Sequence, residues 1–252
     1  MTQASVGFQC PECVHEGASR SRSMTARDLA PQRPLATQVL IGLNVVAFVA
    51  MALTGGSLWG AGGDVYREGV IFGPFVASGD WWRVVTGGFL HSGLLHLGMN
   101  MLILWILGQM LEPLLGRLRF VTLYFAGLVA GSFGVLLVSP TSPTLGASGA
   151  VFGLMGAAMV AQRRAGIDVW RSGIGGLVLI NLLITFLVPN ISIGGHVGGL
   201  VGGLLAGAVV FAIDRAVPRP WVGAAAALAL TAVFYAGALW AAGQWASPLL
   251  DI

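Results

Sequence analysis

The chain has 252 residues, of which 56% are hydrophobic and only 9% are charged, and its mean hydropathy is +0.84. These values exclude a soluble globular protein. Thirteen basic and ten acidic residues give a formal net charge of +3, and the basic residues are all arginines in short clusters between apolar runs. A nucleic-acid-binding surface is a continuous basic patch or stripe, so we expect no DNA or RNA partner.

The N-terminal tail, residues 1–35, is polar and rich in Ser and Arg, which is typical of a disordered segment. It holds the two cysteines of the chain, Cys10 and Cys13, so a disulfide framework cannot hold the fold together. Their CxxC spacing resembles one knuckle of a zinc ribbon, with His15 as a third ligand. A weak zinc site, a remnant of one, a site shared in a dimer and a redox pair are all compatible with this pattern.

Seven apolar windows follow, separated by turn-forming residues or arginine clusters. A hydrocarbon core about 30 Å thick requires roughly 20 apolar residues of helix. We do not expect the first window to be a cleavable signal peptide, because it begins far into the chain and lacks a small-residue cleavage signature. The windows therefore predict an all-α polytopic membrane protein with spans at about 36–54, 94–111, 119–138, 148–162, 172–188, 195–213 and 221–242.

The distribution of arginines predicts the orientation of these spans. With a cytoplasmic N-terminus, eleven arginines fall in inner segments and only Arg67 and Arg83 fall outside. The positive-inside rule then places the C-terminus outside, and arginine without lysine, with abundant Gly and Ala, favours a bacterial inner membrane. We expect the segment between the first two spans to lie in the outer interface, not as a flexible loop, because it carries Trp59, Tyr66, Phe72, Phe75, Trp81, Trp82 and Phe89.

Three polar residues on three different predicted helices share one depth. At 1.5 Å per residue, Ser148 lies about 22 Å from the inner arginine cluster, His96 about 24 Å from Glu112, and His196 about 27 Å from Asp214. All three distances are shorter than the hydrocarbon core. Because polar groups inside a membrane are costly, the shared level predicts a functional pocket that opens outward.

The chemistry of this pocket can be read from residue types. Ser148 opens the fourth predicted span, where free backbone N–H groups can stabilise an oxyanion. A serine hydroxyl needs a base, and the imidazole of His196 is the natural candidate. His96 and Asn100 are four positions apart on one helix face and could donate to the same oxyanion. Close approach of the fourth and sixth spans is favoured by small residues at every fourth position: Gly149, Gly153, Ala157, and Gly195, Gly199, Gly203, Gly207.

Four motifs, taken together and in this order, resemble those of the rhomboid family of intramembrane serine proteases. The family patterns are HxxxxHxxxN, GxxxExxxG, GxSG and a histidine-glycine helix. This chain has His91-Ser-Gly-Leu-Leu-His96-Leu-Gly-Met-Asn100, Gly108-Gln-Met-Leu-Glu112-Pro-Leu-Leu-Gly116, Gly146-Ala-Ser148-Gly149 and Gly195-His196-Val-Gly-Gly199. The resemblance covers roughly residues 36–213 and implies a six-helix catalytic core there, with a linker, an additional seventh helix and a short outer tail in residues 214–252.

The resemblance also implies roles for individual residues. Ser148 would be the nucleophile and His196 the general base, without a third carboxylate member. The oxyanion hole would be formed by His96, Asn100 and the backbone N–H of Ser148. Supporting positions would be His91 near the pocket mouth, Phe152 stacked on the histidine, the pair Trp82 and Arg83 in the first outer loop, Glu112 as a structural acceptor near the inner end of the second span, and the motif glycines Gly146, Gly149 and Gly199.

By the same resemblance, the substrates would be single-pass membrane proteins whose transmembrane helix unwinds near the outer face and enters beside the fifth span. No cofactor would be required for catalysis, and the sequence carries no sign of an oligomeric state. Three alternatives remain: a catalytically silent relative that binds membrane clients, a transporter lined by the same polar residues, and a metalloprotease built on His91, His96 and His196.

Overall fold

The computed structural model describes residues 2–3, 8–10, 33–217 and 219–245. The chain divides into two compact units, Met1–Arg33 and Pro34–Ile252. In the first unit, strands β1 (Thr2–Gln3) and β2 (Phe8–Gln9) pair in antiparallel fashion. This hairpin was not predicted, because two-residue strands are too short to show an alternating pattern. Cys10 follows β2 and is half-buried, whereas Cys13 and His15 lie outside the described residues, so the zinc site stays a prediction.

The second unit is helical throughout its described residues, apart from short connections. In chain order its elements are α1 (Leu35–Leu53), α2 (Gly63–Gly69), α3 (Gly73–Ala77), α4 (Arg83–Thr86), a 3-10 turn (Gly87–Phe89), α5 (Leu94–Leu115), α6 (Arg117–Val138), α7 (Ser148–Arg164), α8 (Ile174–Leu187), α9 (Ile193–Ala216) and α10 (Pro220–Gly243). The seven longer helices coincide with the seven predicted spans. The predicted all-α polytopic fold, with a seventh helix after a six-helix core, is confirmed.

The seven long helices differ in length. Judged by length and apolarity alone, five of those in the described part of the chain could cross a membrane: α1, α5, α6, α9 and α10. α7 and α8 are shorter, with 17 and 14 residues. A 17-residue helix extends only about 26 Å, less than a hydrocarbon core. Ser148, at one end of α7, can therefore lie below the membrane surface when the other end of the helix reaches the opposite face.

α6 is the most enclosed of the five apolar helices and packs against α7, α9 and α10. The α7–α9 crossing is made through glycines. A Cβ added to Gly199 would overlap the carbonyl oxygen of Gly149, and one added to Gly203 would overlap the carbonyl oxygen of Gly153. The two backbones are thus in direct contact along two helical turns.

Two contacts made by arginine side chains join helices at one end of the bundle. Arg119 on α6 forms an ion pair of 2.6 Å with Asp214 on α9, and Arg164 on α7 donates to the carbonyl oxygen of Phe211 at 2.7 Å. These residues lie at the ends of their helices opposite to Ser148 and His196. At the other end, the Tyr235 hydroxyl of α10 donates to the backbone carbonyl of Trp81, in the segment between α1 and α5, at 3.1 Å.

Glu112 of α5 caps the start of α1. Its carboxylate is 3% exposed and accepts hydrogen bonds from the N–H groups of Ala36, at 2.9 Å, and Thr37, at 2.8 Å, and from the Thr37 hydroxyl at 2.8 Å. The first N–H groups of a helix lack partners within the helix, and the N-cap residue here is Pro34, whose side chain has no hydrogen-bonding group. Glu112 supplies the missing acceptor together with a negative charge at the positive end of the helix dipole.

Replacing Glu112 by alanine should lower the free energy of unfolding by about 1–3 kcal/mol, because buried N–H donors lose their acceptor. Glu112→Gln keeps one carbonyl oxygen and should lose less. Denaturant-induced unfolding in detergent micelles measures the difference. The control is Asp64→Ala, which breaks the ion pair of Asp64 with Arg67. The two side chains are 68% and 70% exposed, so this variant should change the free energy of unfolding by less than about 0.5 kcal/mol. Equal losses in Glu112→Ala and Asp64→Ala would contradict the capping role.

Candidate active site

The segment between α1 and α5 and the connection between α6 and α7 are hydrogen-bonded to each other. Ile71 and Thr144 exchange two backbone hydrogen bonds of 3.0 and 2.9 Å, and the N–H of Gly146 donates to the carbonyl oxygen of Gly87 at 2.9 Å. These bonds hold the residues immediately before Ser148. The position of Ser148 is therefore set by a folded loop as well as by its own helix.

Trp82 and Arg83 organise that loop. The Arg83 side chain is buried, its guanidinium binds Asp80 at 2.8 Å and the carbonyl oxygen of Arg67 at 2.5 Å, and it lies 4.6 Å from the centre of the Phe75 ring. The Trp82 indole N–H donates to a backbone carbonyl of α2 at 3.1 Å. The pair thus joins α2, α3 and α4 into one folded element, as expected for a segment that is more than a flexible loop.

Gly146 lies between His96 and Ser148. Its φ of +132° is in the left-handed region, and a Cβ there would lie 2.8 Å from Cε1 and 2.9 Å from Nε2 of His96, and 3.7 Å from the Ser148 hydroxyl oxygen. Only glycine fits at this position. The structure thereby brings the His96 ring and the Ser148 hydroxyl to the same face of one residue.

The hydrogen bonds of His96 define its tautomer. Its Nδ1 accepts the backbone N–H of Ser92 at 3.3 Å and lies 3.0 Å from the Ser92 hydroxyl. A backbone N–H can only donate, so Nδ1 carries no proton, and in the neutral ring the proton is on Nε2. The ring nitrogen of His96 that lies beside Gly146, Nε2, is therefore a donor.

Asn100 lies one turn further along α5 and is 6% exposed. Its side-chain amide donates to the carbonyl oxygen of His96 at 2.9 Å. An asparagine amide carries two N–H bonds, so a second one is available for another acceptor. This bond fixes the Asn100 rotamer on the same helix face as His96.

His91 links the segment between α1 and α5 to the residue before Ser148. Its ring is fully buried, with Nδ1 at 3.2 Å from the carbonyl oxygen of Phe89 and Nε2 at 3.5 Å from the N–H of Ala147. Burial, and then the neighbouring His96, lower the pKa of His91 to about 3. The ring is therefore neutral near pH 7, donates through Nδ1 and accepts through Nε2.

His196 is held on two sides. The Phe152 ring, one turn after Ser148 on α7, stacks on the imidazole with centres 4.4 Å apart and an interplanar angle of 23°. Among the described residues, the one side-chain hydrogen bond of the His196 ring joins Nδ1 to the Thr185 hydroxyl at 2.6 Å. The nitrogen that remains for Ser148 is Nε2. Ser148 and His196 thus lie at one helix crossing, and no direct hydrogen bond joins them. Hydrogen bonds between catalytic groups are often long in the absence of substrate and tighten when it binds.

Two polar partners in this site were not predicted, Ser92 and Thr185. A threonine in an apolar helix normally bonds its hydroxyl to the carbonyl four residues earlier, so it carries little sequence signal. Ser92 lies between two motif histidines, where its type alone indicates no contact. Within the part of the chain that the structure describes, no group of three His, Cys, Asp or Glu side chains is placed to hold a metal ion.

The sequence around this site matches a known protein family. The Rhomboid domain family model matches residues 78–213, more than half of the chain. Rhomboid protease GluP of Bacillus subtilis (strain 168) is 34% identical over 167 residues, which are 65% of this chain and 32% of the relative. Putative rhomboid protease YdcA of the same organism is 35% identical over 125 residues, which are 48% of this chain and 63% of the relative.

Another relative is named for the absence of activity. Inactive RHOMBOID-like protein 8 of Arabidopsis thaliana is 35% identical over 112 residues, which are 42% of this chain and 32% of the relative. The chain thus spans between about a third and somewhat under two thirds of the length of these three relatives. The matched family model and the apolar helices together make this chain a multi-pass membrane protein that belongs to the rhomboid family.

Proposed function

We propose that the protein is an intramembrane serine endopeptidase that cleaves the transmembrane segments of single-pass membrane proteins near the outer face, with Ser148 as nucleophile and His196 as general base. One observation carries the proposal. Ser148 opens α7 beside a donor nitrogen of His96, while Phe152, one turn along the same helix, stacks on His196. Nucleophile, base and oxyanion donor thus meet at one crossing of helices.

The reaction follows the chemistry of these groups. The Ser148 hydroxyl oxygen attacks the scissile carbonyl carbon, and its proton passes to Nε2 of His196. When the tetrahedral intermediate collapses, the C–N bond breaks and the imidazolium gives this proton to the leaving amine. Water then attacks the acyl-enzyme with His196 again as base, which releases the new carboxyl terminus and restores the serine.

The oxyanion of each tetrahedral intermediate accepts from donors that are already oriented. The His96 Nε2–H is directed by the bond that Nδ1 accepts from Ser92, and the Asn100 amide is fixed by its bond to the His96 carbonyl. The backbone N–H of Ser148, at the start of α7, is a third donor. Such preorganised donors lower the barrier because no reorientation is needed as charge develops.

Substrate access is proposed beside α8. In this helix, all of whose residues the structure describes, four are buried: Ile174, Gly175, Val178 and Thr185. A transmembrane segment that approaches α8 from the bilayer must unwind before its peptide bond can reach Ser148. Helix-weakening residues such as Gly lower the cost of unwinding, so we expect them near the cleavage site.

The proposed membrane is a bacterial inner membrane, with the N-terminus in the cytoplasm and the C-terminus outside. The arginine distribution supports this orientation. The Arg119–Asp214 pair and Arg164 lie at the end of the bundle opposite to Ser148. In this orientation, the proposed site faces the outer side.

A fluorophosphonate tests the proposal directly. We expect purified protein in detergent to gain one adduct by intact mass, and Ser148→Ala to gain none. The control is Ser78→Ala, which removes an exposed serine of the first outer loop and should label as the wild type does. Labelling should persist with EDTA, since no metal takes part.

An unlabelled wild type that melts cooperatively, under conditions where an active rhomboid protease labels, would contradict the proposal. The result would then favour a silent protein that binds membrane clients, which is the candidate suggested by the relative named inactive.

A further inference from the structure

The half of α8 that contains Asn181 to Leu187 buries a single side chain. Thr185 is 2% exposed, whereas its neighbours Ile184 and Phe186 are 43% and 60% exposed. In this half of α8, which the structure describes completely, the inward-facing position is therefore occupied by a hydroxyl group. That hydroxyl meets the imidazole of His196.

The proton of the Thr185 hydroxyl can be assigned from its two neighbours. Its oxygen lies 2.7 Å from the carbonyl oxygen of Asn181 and 2.6 Å from Nδ1 of His196. A carbonyl oxygen can only accept a hydrogen bond, so the one hydroxyl proton is directed to Asn181. The short contact to His196 is then a hydrogen bond in which Nδ1–H donates and the threonine oxygen accepts.

This assignment defines the state of His196. With the proton on Nδ1, the neutral ring has its lone pair on Nε2, and only that nitrogen can take a proton from Ser148. The opposite tautomer would place a proton on Nε2, and it could keep the bond to Thr185 only if the hydroxyl proton left the Asn181 carbonyl and was directed to Nδ1. The Phe152 ring stacked on the imidazole restricts its rotation, so tautomer and orientation are fixed together.

We propose that Thr185 is a positioning residue for His196, which holds the imidazole in the tautomer that acts as a base through Nε2. The proposal deepens the proposed protease function and rests on it. Thr185 occupies the place that a carboxylate takes in a Ser-His-Asp triad, but as a neutral group. It orients the ring without adding a negative charge to a buried site, where an unpaired carboxylate would be costly.

The chain provides a conservative variant and a matched control. Thr185→Val keeps the shape and removes the hydroxyl, whereas Thr185→Ser keeps the hydroxyl. Thr231 of α10 makes the same type of back-bond, to the carbonyl oxygen of Ala227 at 2.7 Å, and lies outside the proposed site. Thr231→Val therefore removes the equivalent hydroxyl without contact to His196.

The rate of fluorophosphonate labelling is the first readout. Loss of a group that orients a metal-bound imidazole typically costs about 10-fold to 100-fold, and we expect Thr185→Val to slow labelling by a similar factor. Thr185→Ser should recover a rate within about 3-fold of the wild type, and Thr231→Val should label as the wild type does. Melting temperatures in detergent establish that all variants are folded. Wild-type labelling by Thr185→Val, or a Thr185→Ser variant as slow as Thr185→Val, would overturn the proposal.

The tautomer of His196 is the second readout and does not depend on activity. Long-range ¹H–¹⁵N spectra of the ¹⁵N-histidine-labelled full chain in micelles report which ring nitrogen is protonated. The chain has four histidines, and the spectrum of His196→Ala identifies the signal. We expect the Nδ1–H form in the wild type and a mixture in Thr185→Val. An Nε2–H form in the folded wild type would overturn the proposal, whereas an Nδ1–H form in a wild type that does not label would show that the protease function alone has failed.

Discussion

Substituting alanine for Ser148 or for His196 is expected to lower kcat for cleavage of a single-pass transmembrane reporter by about 10⁵-fold to 10⁶-fold. Either change removes the covalent route, because a serine without its base and a base without its serine are equally unable to form the acyl-enzyme. The double variant should lose no more than the single ones, since the two residues act as a unit. Single-turnover cleavage in proteoliposomes, with a reporter that carries helix-weakening residues at its outer end, measures all three.

The control for this experiment is again the exposed-serine variant Ser78→Ala, which should cleave the reporter as fast as the wild type does. Thermal melting in detergent must show that the inactive variants are folded. Multiplicative losses in the double variant would mean that Ser148 and His196 contribute separately, and measurable turnover by folded Ser148→Ala would assign the nucleophile to another group.

The seven long helices were predictable because the membrane imposes one pattern on all of them. Each must present apolar residues over most of its length, so its ends are marked by arginines, Gly or Pro, and the predicted bounds fall within a few residues of the observed ones. The short helices α2, α3 and α4 were not predictable. Their positions depend on contacts such as those of Arg83 with Asp80 and with the carbonyl oxygen of Arg67, which join residues up to 16 positions apart.

The candidate site, like the fold, has a part that could be predicted from the sequence and a part that could not. The motif residues could be named from their spacing, because spacing on a helix decides which side chains share a face. Which nitrogen of each imidazole donates and which accepts could not be predicted, because this depends on partners from other elements. Thr185 reaches His196 from a neighbouring helix, and Ala147 reaches His91 across 56 residues. Glu112 was expected to be a structural acceptor. Which helix it caps could not be predicted, because tertiary packing decides which helix start lies beside it.

The close contact between α7 and α9 has a direct consequence for activity. Gly149, which follows the proposed nucleophile, faces Gly199, which lies three residues after the proposed base. A Cβ at Gly199 would overlap the carbonyl oxygen of Gly149 and lie 2.9 Å from its carbonyl carbon and Cα. All three atoms belong to the backbone, so no side-chain rotation can make room.

We therefore expect Gly199→Ala to push α7 and α9 apart at the level of the site. A misplacement of about 1 Å between reacting groups can cost about 10²-fold in rate, and overpacking typically costs about 1–3 kcal/mol of stability. The variant should label with fluorophosphonate at least about 10²-fold more slowly than the wild type while it remains folded at low temperature. Labelling rates and melting temperatures in one detergent measure both effects.

Gly42→Ala is the matched control, since a Cβ on Gly42 of α1 meets no atom within 4 Å. Alanine is the better helix former, so this variant should be as stable as the wild type or up to about 1 kcal/mol more stable, with the same labelling rate. If Gly199→Ala labelled as fast as Gly42→Ala, the two helices could separate at this crossing without moving Ser148 away from His196. Contact between the backbones of α7 and α9 would then not be what aligns the proposed dyad.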